Sequence, residues 1–442
     1  MSSNKPKDET AQKVPQSRFA RLSRMGALAT GIAGGMVAEG VRQLAKGNRP
    51  KVSQMLLTPA NARRLADQLS RLRGAAMKVG QLLSMDAGDF IPAELADILA
   101  RLRSNARSMP HSQLQEVLRS NWGDDWEQQF AFFNFKPIAS ASIGQVHEAF
   151  TRDGQRLAIK IQYPGVRESI DSDIDNVASL FKMSGVLPKE LDLKPLLEQA
   201  KAQLHEEADY LREAESLKHY RSLLNDSQHF LMPEVYEQWC TKNILVMSHV
   251  QGVPVESLTG HSQALRDKVA SLAFKLFFRE LFEFRFMQTD PNFANFQFCT
   301  QTERLVLLDF GASRHLPVFL VEQYGCIADA ALSGNRAGLD AAARAIGYYD
   351  NNTLARHREL VLDLIELACE PLCTKGEYDF GHSDLAQRIR EKGMDLGMDR
   401  DFWHVPPVDA LFLQRKVGGV FLLASRLKAR VNIQAQLPEM FT

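Results

Sequence analysis

Residues 289–313 read TDPNFANFQFCTQTERLVLLDFGAS, and three oxygen-bearing side chains among them have the spacing of phosphoryl-transfer chemistry. Asp290 and Asn295 stand as D-x-x-x-x-N, a spacing in which the aspartate faces the reacting oxygen and the asparagine takes a metal. FQF, the polar turn TQTE and RLVLL then read as a β-hairpin ending at Asp309-Phe310-Gly311, whose aspartate is suited to hold Mg2+ between phosphates. Oxygen donors converging from a loop and a hairpin end suit a hard cation. Asp-Phe-Gly alone is common by chance. In this order and spacing, downstream of a strand lysine and a helical glutamate, the set is not.

The elements that must position these groups lie upstream. LAIKIQY places Lys160 between Ile159 and Ile161 in a strand, where a lysine taken alone reads as an edge or surface residue. Arg152-Asp153-Gly154 joins this strand to the one before it, and Asp-Gly is a strong hairpin signal. Ahead of both, PIASASIGQVHEA (137–149) reads as strand–turn–strand, where a nucleotide-gripping loop is expected. Such loops rely on glycine, which permits positive φ and close backbone approach to phosphate. Here Ala139, Ser140, Ala141 and Ser142 precede the first glycine, Gly144. A loop of this kind can still point backbone N–H groups at a nucleotide, but stiffly.

A helical pattern runs from about Ile170 to Leu224, and in it Glu206, Asp209 and Glu213 fall at i, i+3 and i+7, with Glu207 at the edge. Like charges at this spacing cost little on a solvated face. On a covered face they need cations, and Lys160 and Lys78 are the candidates. Lys78 and Gln81 share one face of a helix in NARRLADQLSRLRGAAMKVGQLLSMD; by themselves they read as a solvated pair.

The whole chain of 442 residues is long enough for two lobes with extensions. Lys+Arg and Asp+Glu balance at 53 each, which argues against a dedicated nucleic-acid binder. Its five cysteines form no C-x-x-C pair, so neither a disulfide framework nor a zinc site is expected. The polar residues 1–17 read as disordered, and Asp8 and Glu9 there speak against a mitochondrial transit peptide. In residues 18–50 the apolar centre, Met25 to Val41, is interrupted by Glu39 and short of the roughly 20 residues of a spanning helix. Arginines and lysines flank it, so it reads either as a helix docked on the protein or as one lying in a membrane. Gly31 and Gly35 give a GxxxG spacing that allows close helix approach, and with it a homodimer.

KVGQ (78–81), PIASASIGQVH (137–147), LAIKIQYPGV (157–166), EEADYLREA (206–214), TDPNFANF (289–296) and LLDFG (307–311) together resemble the UbiB family of atypical protein-kinase-like proteins, also called AarF/ABC1 kinase-like. The segment before KVGQ and the ending QRKVGGVFLLASRLKAR resemble the branch tied to coenzyme Q (ubiquinone) biosynthesis. The resemblance implies an α+β, bilobal protein-kinase-like fold with a helical N-terminal extension. That fold would divide as an extension over 51–135 carrying KxGQ, a β-rich lobe over 136–250 and a helical lobe over 251–442.

Residue by residue, it implies that Lys160 contacts nucleotide phosphates and Glu213 pairs with it. Lys78 and Gln81 would be a regulatory KxGQ laid over the substrate entrance, with Glu207 and Asp209 as the ExD engaging Lys78. Ala139, Ser140, Ala141 and Ser142 would line the nucleotide, and the backbone near Met247 and Val250 would recognise adenine. Asp290 would be catalytic, and Asn295 and Asp309 would hold Mg2+. Ser140 replaces an alanine of the family's loop, and Gln288-Thr289 replaces the residues usual before the aspartate.

After Gly311 the chain passes through ASRHLPVFLVEQYG into a helical pattern without an APE motif, so phosphorylation of proteins in trans is not expected. The function implied is a Mg2+-dependent ATPase, binding ATP and ADP, that supports ubiquinone biosynthesis at a membrane. Its expected partners are membrane lipid, quinone-precursor lipids and the biosynthesis proteins. A small-molecule or lipid kinase, or a non-catalytic nucleotide-gated scaffold, uses the same residues. The expected location is the cytoplasmic face of a bacterial inner membrane; the alternative is the matrix side of the mitochondrial inner membrane.

Overall fold

The computed structural model describes residues 74–75, 78–79, 108–184, 194–225, 227–290, 292–398 and 406–438. Residues 1–50, with the apolar segment and its GxxxG, lie outside the described residues, as does Gln81. The described chain divides into two compact units. One takes the residues up to Ala214 together with Glu234–His249; the other takes Glu215–Pro233 and the residues from Val250 onward. The fold is α+β.

The first unit is built on an antiparallel sheet. Its path runs β1 (Phe132–Phe133), β3 (Gly144–Phe150), β4 (Arg156–Gln162) and β6 (Ile244–Ser248), and β2 (Ala139–Ser140) pairs with β3. The expected hairpin forms at Asp153-Gly154, where Gly154 takes φ 86°. Alternation along β4 decides everything that follows. Leu157, Ile159 and Ile161 face a core with Trp126, Phe130, Ile244 and Val246. Lys160 and Gln162 point to the other face and are buried there as well. Helix α1 (His111–Trp122) supplies Leu114, Val117 and Leu118 to the same core at i, i+3 and i+4. Residues 108–135 therefore complete this sheet's core, whereas the sequence assigned them to a separate extension.

The helical pattern after β4 is not continuous. Helices α2 (Val166–Ser184), α3 (Lys194–Glu207) and α4 (Tyr210–Leu223) form instead, and the chain leaves helix at Ala208 and Asp209. The acidic stripe thus belongs to a helix end and the next helix start, not to one helix face.

In the second unit, β7 (Val253–Pro254), β9 (Phe296–Cys299) and β10 (Arg304–Leu307) pair antiparallel, and β5 (Phe230–Leu231) joins β10 in parallel. The hairpin expected from TQTE is β9–β10. Helix α5 (Gln263–Phe278) opens at Ser262, whose hydroxyl accepts the N–H of Leu265, a side-chain N-cap. It runs into a π-helical segment, Arg279–Phe284, that ends at Arg285 with φ 50°. Then β8 (Phe286–Gln288) pairs with β11 (Ser313–His315), which bounds the stretch carrying Asp290 and Asp309. Helices α6 (Val318–Ser333), α7 (Arg336–Ile346), α8 (Ala355–Cys373), α9 (Leu385–Met398) and α10 (Val408–Arg426) complete it, with a small β12–β13 pair (Tyr378–Asp379, Arg430–Val431).

Candidate functional site

The candidate residues form two groups, one in each unit. In the first, Lys160 is central in the sheet, opposite Val146 on β3 and Leu245 on β6, and only 8 % exposed. A lysine so placed is largely withdrawn from water, so it needs a counter-charge. Its Nζ donates to both carboxylate oxygens of Glu213 at 2.8 and 2.9 Å, and it lies 5.1 Å from the centroid of the Tyr210 ring. Gln162, two residues on, donates to the Ala208 carbonyl at 2.7 Å, which ties β4 to the break before α4. The edge-strand reading of Lys160 is thereby excluded.

Lys78, 5 % exposed, donates to Glu207 Oε1 at 2.5 Å. The other oxygen, Oε2, accepts the Ser142 hydroxyl at 3.0 Å. One carboxylate thus holds the KxGQ lysine and the alanine-serine turn together, which the sequence did not foretell for Ser142. Gly74 packs on the same turn: a Cβ there would stand 2.7 Å from Ile143 Cγ2. Asp209, expected to engage Lys78, instead faces Arg167 at 3.8 Å and accepts the Arg212 N–H at the start of α4. The physical reason is the helix break: Asp209 caps α4 and does not continue the face of Glu207.

The turn itself is closed by Ala141 N–H donating to the Gly144 carbonyl at 2.9 Å. Ala139 and Ser140 are exposed, and Ala141 and Ser142 half-buried. None of the four takes a positive φ, so alanine and serine fit this backbone without strain. Gly144 is required for a different reason. A Cβ there would meet the Ile161 carbonyl and stand 2.8 Å from the Tyr210 hydroxyl. Of the two adenine-recognition candidates, Met247 is buried and its backbone lies inside the paired register with Ala158. Val250 lies beyond the strand end.

Below the turn is a buried polar chain. Gln145 Oε1 accepts the Met109 N–H at 2.8 Å, which leaves its Nε2 to donate to His147 Nε2 at 2.7 Å. His147 Nδ1 must then carry the proton and donate to the Asn134 carbonyl at 2.8 Å. Burial lowers the His147 pKa from 6.5 to about 4, opposed in part by the Asn134 bond.

In the second unit, Asn295 Nδ2 donates to Asp290 Oδ2 at 3.3 Å, which keeps the asparagine carbonyl oxygen for another partner. Asn292 caps the short turn before it, accepting the Ala294 N–H at 3.2 Å. Asp309 Oδ1 accepts the Gly311 N–H at 3.0 Å, which orients its carboxylate. Phe310 is buried against Tyr220, with ring centroids 4.9 Å apart. Groups of three or more metal-ligating side chains are absent among the described residues. Mg2+ keeps several waters and is commonly bound through one or two carboxylates plus substrate phosphates, so an aspartate with an asparagine oxygen fits it.

Gln288 and Thr289, which depart from the usual residues before the aspartate, are both buried. Thr289 Oγ1 donates to the Ala312 carbonyl at 2.8 Å and locks the loop to the segment after Asp309. Beneath Gln288 sits a buried ion pair that sequence reading missed, Lys416 and Glu280, 2.9 Å apart. Burial raises the pKa of Glu280, with Lys416 opposing, and raises that of Tyr220, which donates to it.

The profile of the ABC1 atypical kinase-like domain matches residues 101–342, and the chain belongs to that family. It is 37% identical to the rat (Rattus norvegicus) protein "Atypical kinase COQ8B, mitochondrial" across 95% of this chain and 80% of the relative. It is 36% identical to "Atypical kinase COQ8, mitochondrial" of Saccharomyces cerevisiae, across 97% of this chain and 85% of that one. Among solved structures, the complex of Rv3197 with erythromycin from Mycobacterium tuberculosis is similar over 85% of this chain and 94% of the other, with TM-score 0.58 and 25% identity.

Proposed function

We propose that this protein is a Mg2+-dependent ATPase of kinase fold that supports ubiquinone biosynthesis at a membrane, acting on lipid intermediates or on the biosynthetic proteins. The observation that speaks against a protein acceptor is the course of the chain after Asp309. Gly311 is followed by β11, then Leu316 and Pro317, and α6 begins at Val318. No stretch remains there to dock and present a peptide, as the activation segment of a protein kinase does. Ser142, Glu207 and Lys78 in one chain of contacts support the same reading, since the KxGQ lysine is tied to the nucleotide turn rather than left to bind substrate.

In this reading Lys160, fixed by Glu213, steadies the phosphates, and the turn at Ala139, Ser140, Ala141 and Ser142 approaches them with backbone N–H groups other than that of Ala141, which the Gly144 carbonyl holds. Asp290 orients the attacking water and accepts its proton. Asn295 and Asp309 would hold Mg2+, which when bound neutralises charge on the phosphates. Val250 is the backbone candidate for adenine. The link to ubiquinone and to a membrane rests on the resemblance to the coenzyme Q branch and on relatives named as mitochondrial atypical kinases. No helix among the described residues is long and apolar enough to cross a membrane, and the membrane-associating segment expected over 18–50 lies outside them.

The test is phosphate release from ATP with liposomes and a phenolic quinone precursor, comparing wild type with Asp309→Asn. Release into water that Asp309→Asn abolishes is the expected result. Label recovered on a small acceptor would replace the ATPase by a lipid or small-molecule kinase. No turnover in the wild type would leave a nucleotide-gated scaffold.

A further inference from the structure

The ion pair under the catalytic loop has no role in the motifs above. Lys416 on α10 and Glu280 on the π-helical segment are 2 % and 1 % exposed. Desolvating two charges commonly costs more than their attraction returns, and apolar side chains of like volume would often serve packing better. What the pair does is visible in its contacts. Both backbone polar groups of Gln288 are taken by it: the carbonyl accepts Lys416 Nζ at 2.7 Å, and the N–H points to Glu280 Oε1 at 3.4 Å. Lys416 also reaches the Gln288 side-chain oxygen at 3.4 Å. Glu280 Oε2 faces the ammonium as an ion pair without hydrogen-bond alignment, and Gln288 Nε2 is buried without a hydrogen-bond partner among the described residues. Retaining an unsatisfied amide there is a further cost.

The other end of the network reaches the metal candidate. Tyr220 donates to Glu280 Oε1 at 2.9 Å, and its ring lies 4.9 Å from Phe310 and 5.0 Å from Phe286. Gln288 stands two positions before Asp290, and Phe310 stands directly after Asp309. One buried carboxylate therefore touches the supports of both aspartates.

We infer that Lys416 and Glu280 are positioning residues, a charged clamp on the Gln288 backbone that, through Tyr220, sets Asp290 and Asp309 in register with one another. This rests on the phosphoryl-transfer reading for its catalytic consequence, but its structural content stands apart. The clamp acts on Gln288, while Thr289 is bonded separately to the Ala312 carbonyl.

The test uses the full chain with Lys416→Met and Glu280→Gln combined, which removes both charges together and leaves none unpaired. Thermal unfolding near the wild-type midpoint is expected, with amide hydrogen exchange faster by about tenfold or more over 286–295 and 309–313 and unchanged in β3 and β4. In phosphate release, kcat is expected to fall by about tenfold or more while KM for ATP stays within about twofold. Lys416→Arg, which keeps the charge, should retain most of the wild-type kcat.

A folded double variant with unchanged exchange at both segments overturns the proposal. So does exchange that rises uniformly. If the double variant fails to fold, Tyr220→Phe removes only the hydroxyl and keeps the ring on Phe310. The same localised exchange increase is then expected, and its absence is fatal. A wild type without any phosphate release would overturn the ATPase reading, and the exchange result would still decide the clamp.

Discussion

Lys160 Nζ lies 2.8 and 2.9 Å from the two carboxylate oxygens of Glu213, and both side chains are buried. The pair joins the central strand β4 to the first turn of α4. A buried charge stripped of its partner is costly, so Glu213→Ala should destabilise the protein by about 3–5 kcal/mol. Lys160→Met with Glu213→Leu should recover most of that stability while leaving ATP turnover near zero. Urea unfolding and phosphate release measure the two quantities separately. Recovery of turnover along with stability would strip Lys160 of its assigned role.

Glu207 bridges Lys78 and Ser142, so the turn and the KxGQ lysine should respond together. Ser142→Ala removes a hydrogen bond to a charged acceptor, worth about 1.5 kcal/mol for this half-buried pair. Nucleotide affinity, read by titration with a fluorescent ATP analogue, is expected to change in Ser142→Ala and in Glu207→Gln in the same direction. Opposite directions would mean the two contacts serve separate ends.

Two neighbouring positions of the turn should behave in contrary ways. Ala141→Gly meets no steric obstacle and loosens a backbone that alanine stiffens. It is expected to shift the preference between ADP and ATP and to release autophosphorylation; unchanged nucleotide affinity and phosphorylation would reduce the segment to a plain turn. Gly144→Ala drives a Cβ into the Ile161 carbonyl and the Tyr210 hydroxyl. Overpacking against backbone should destabilise it by about 1–3 kcal/mol, seen as a lower unfolding midpoint.

Acid should weaken the first unit through His147. Its folded pKa of about 4 lies below the ordinary 6.5, so between these values the unfolded chain binds a proton that the folded chain refuses. Stability is unaffected above pH 6.5 and falls as pH drops towards 4, by up to about 3 kcal/mol. Denaturant unfolding at pH 7.5 and pH 5 on wild type and His147→Gln checks it, the difference between the two pH values shrinking in the variant. An equal drop in both proteins would assign the acid sensitivity to other groups.

The legible part of the candidate site was local. Asp290, Asn295 and the Asp309-Phe310-Gly311 hairpin end are close in sequence, and Asp153-Gly154 announces its own turn, so spacing and turn chemistry sufficed. The missed contact and the altered one were not local. Ser142 meets Glu207 across 65 positions, and Asp209 left the pairing with Lys78 because the chain breaks between α3 and α4. A stripe at i, i+3 and i+7 assumes one continuous helix, and nothing in its residue types marks Ala208 as the end.

The sequence by itself determined the family and the kind of fold, because strand alternation, turns and motif spacing are properties of neighbours. Tertiary structure decided which charges are buried and with whom. Lys160 could have been a surface lysine, and the QRKVGG around Lys416 says nothing of what that lysine pairs with. Only folding places Lys416 on the Gln288 carbonyl 128 positions away, out of water, where a charge must find a partner.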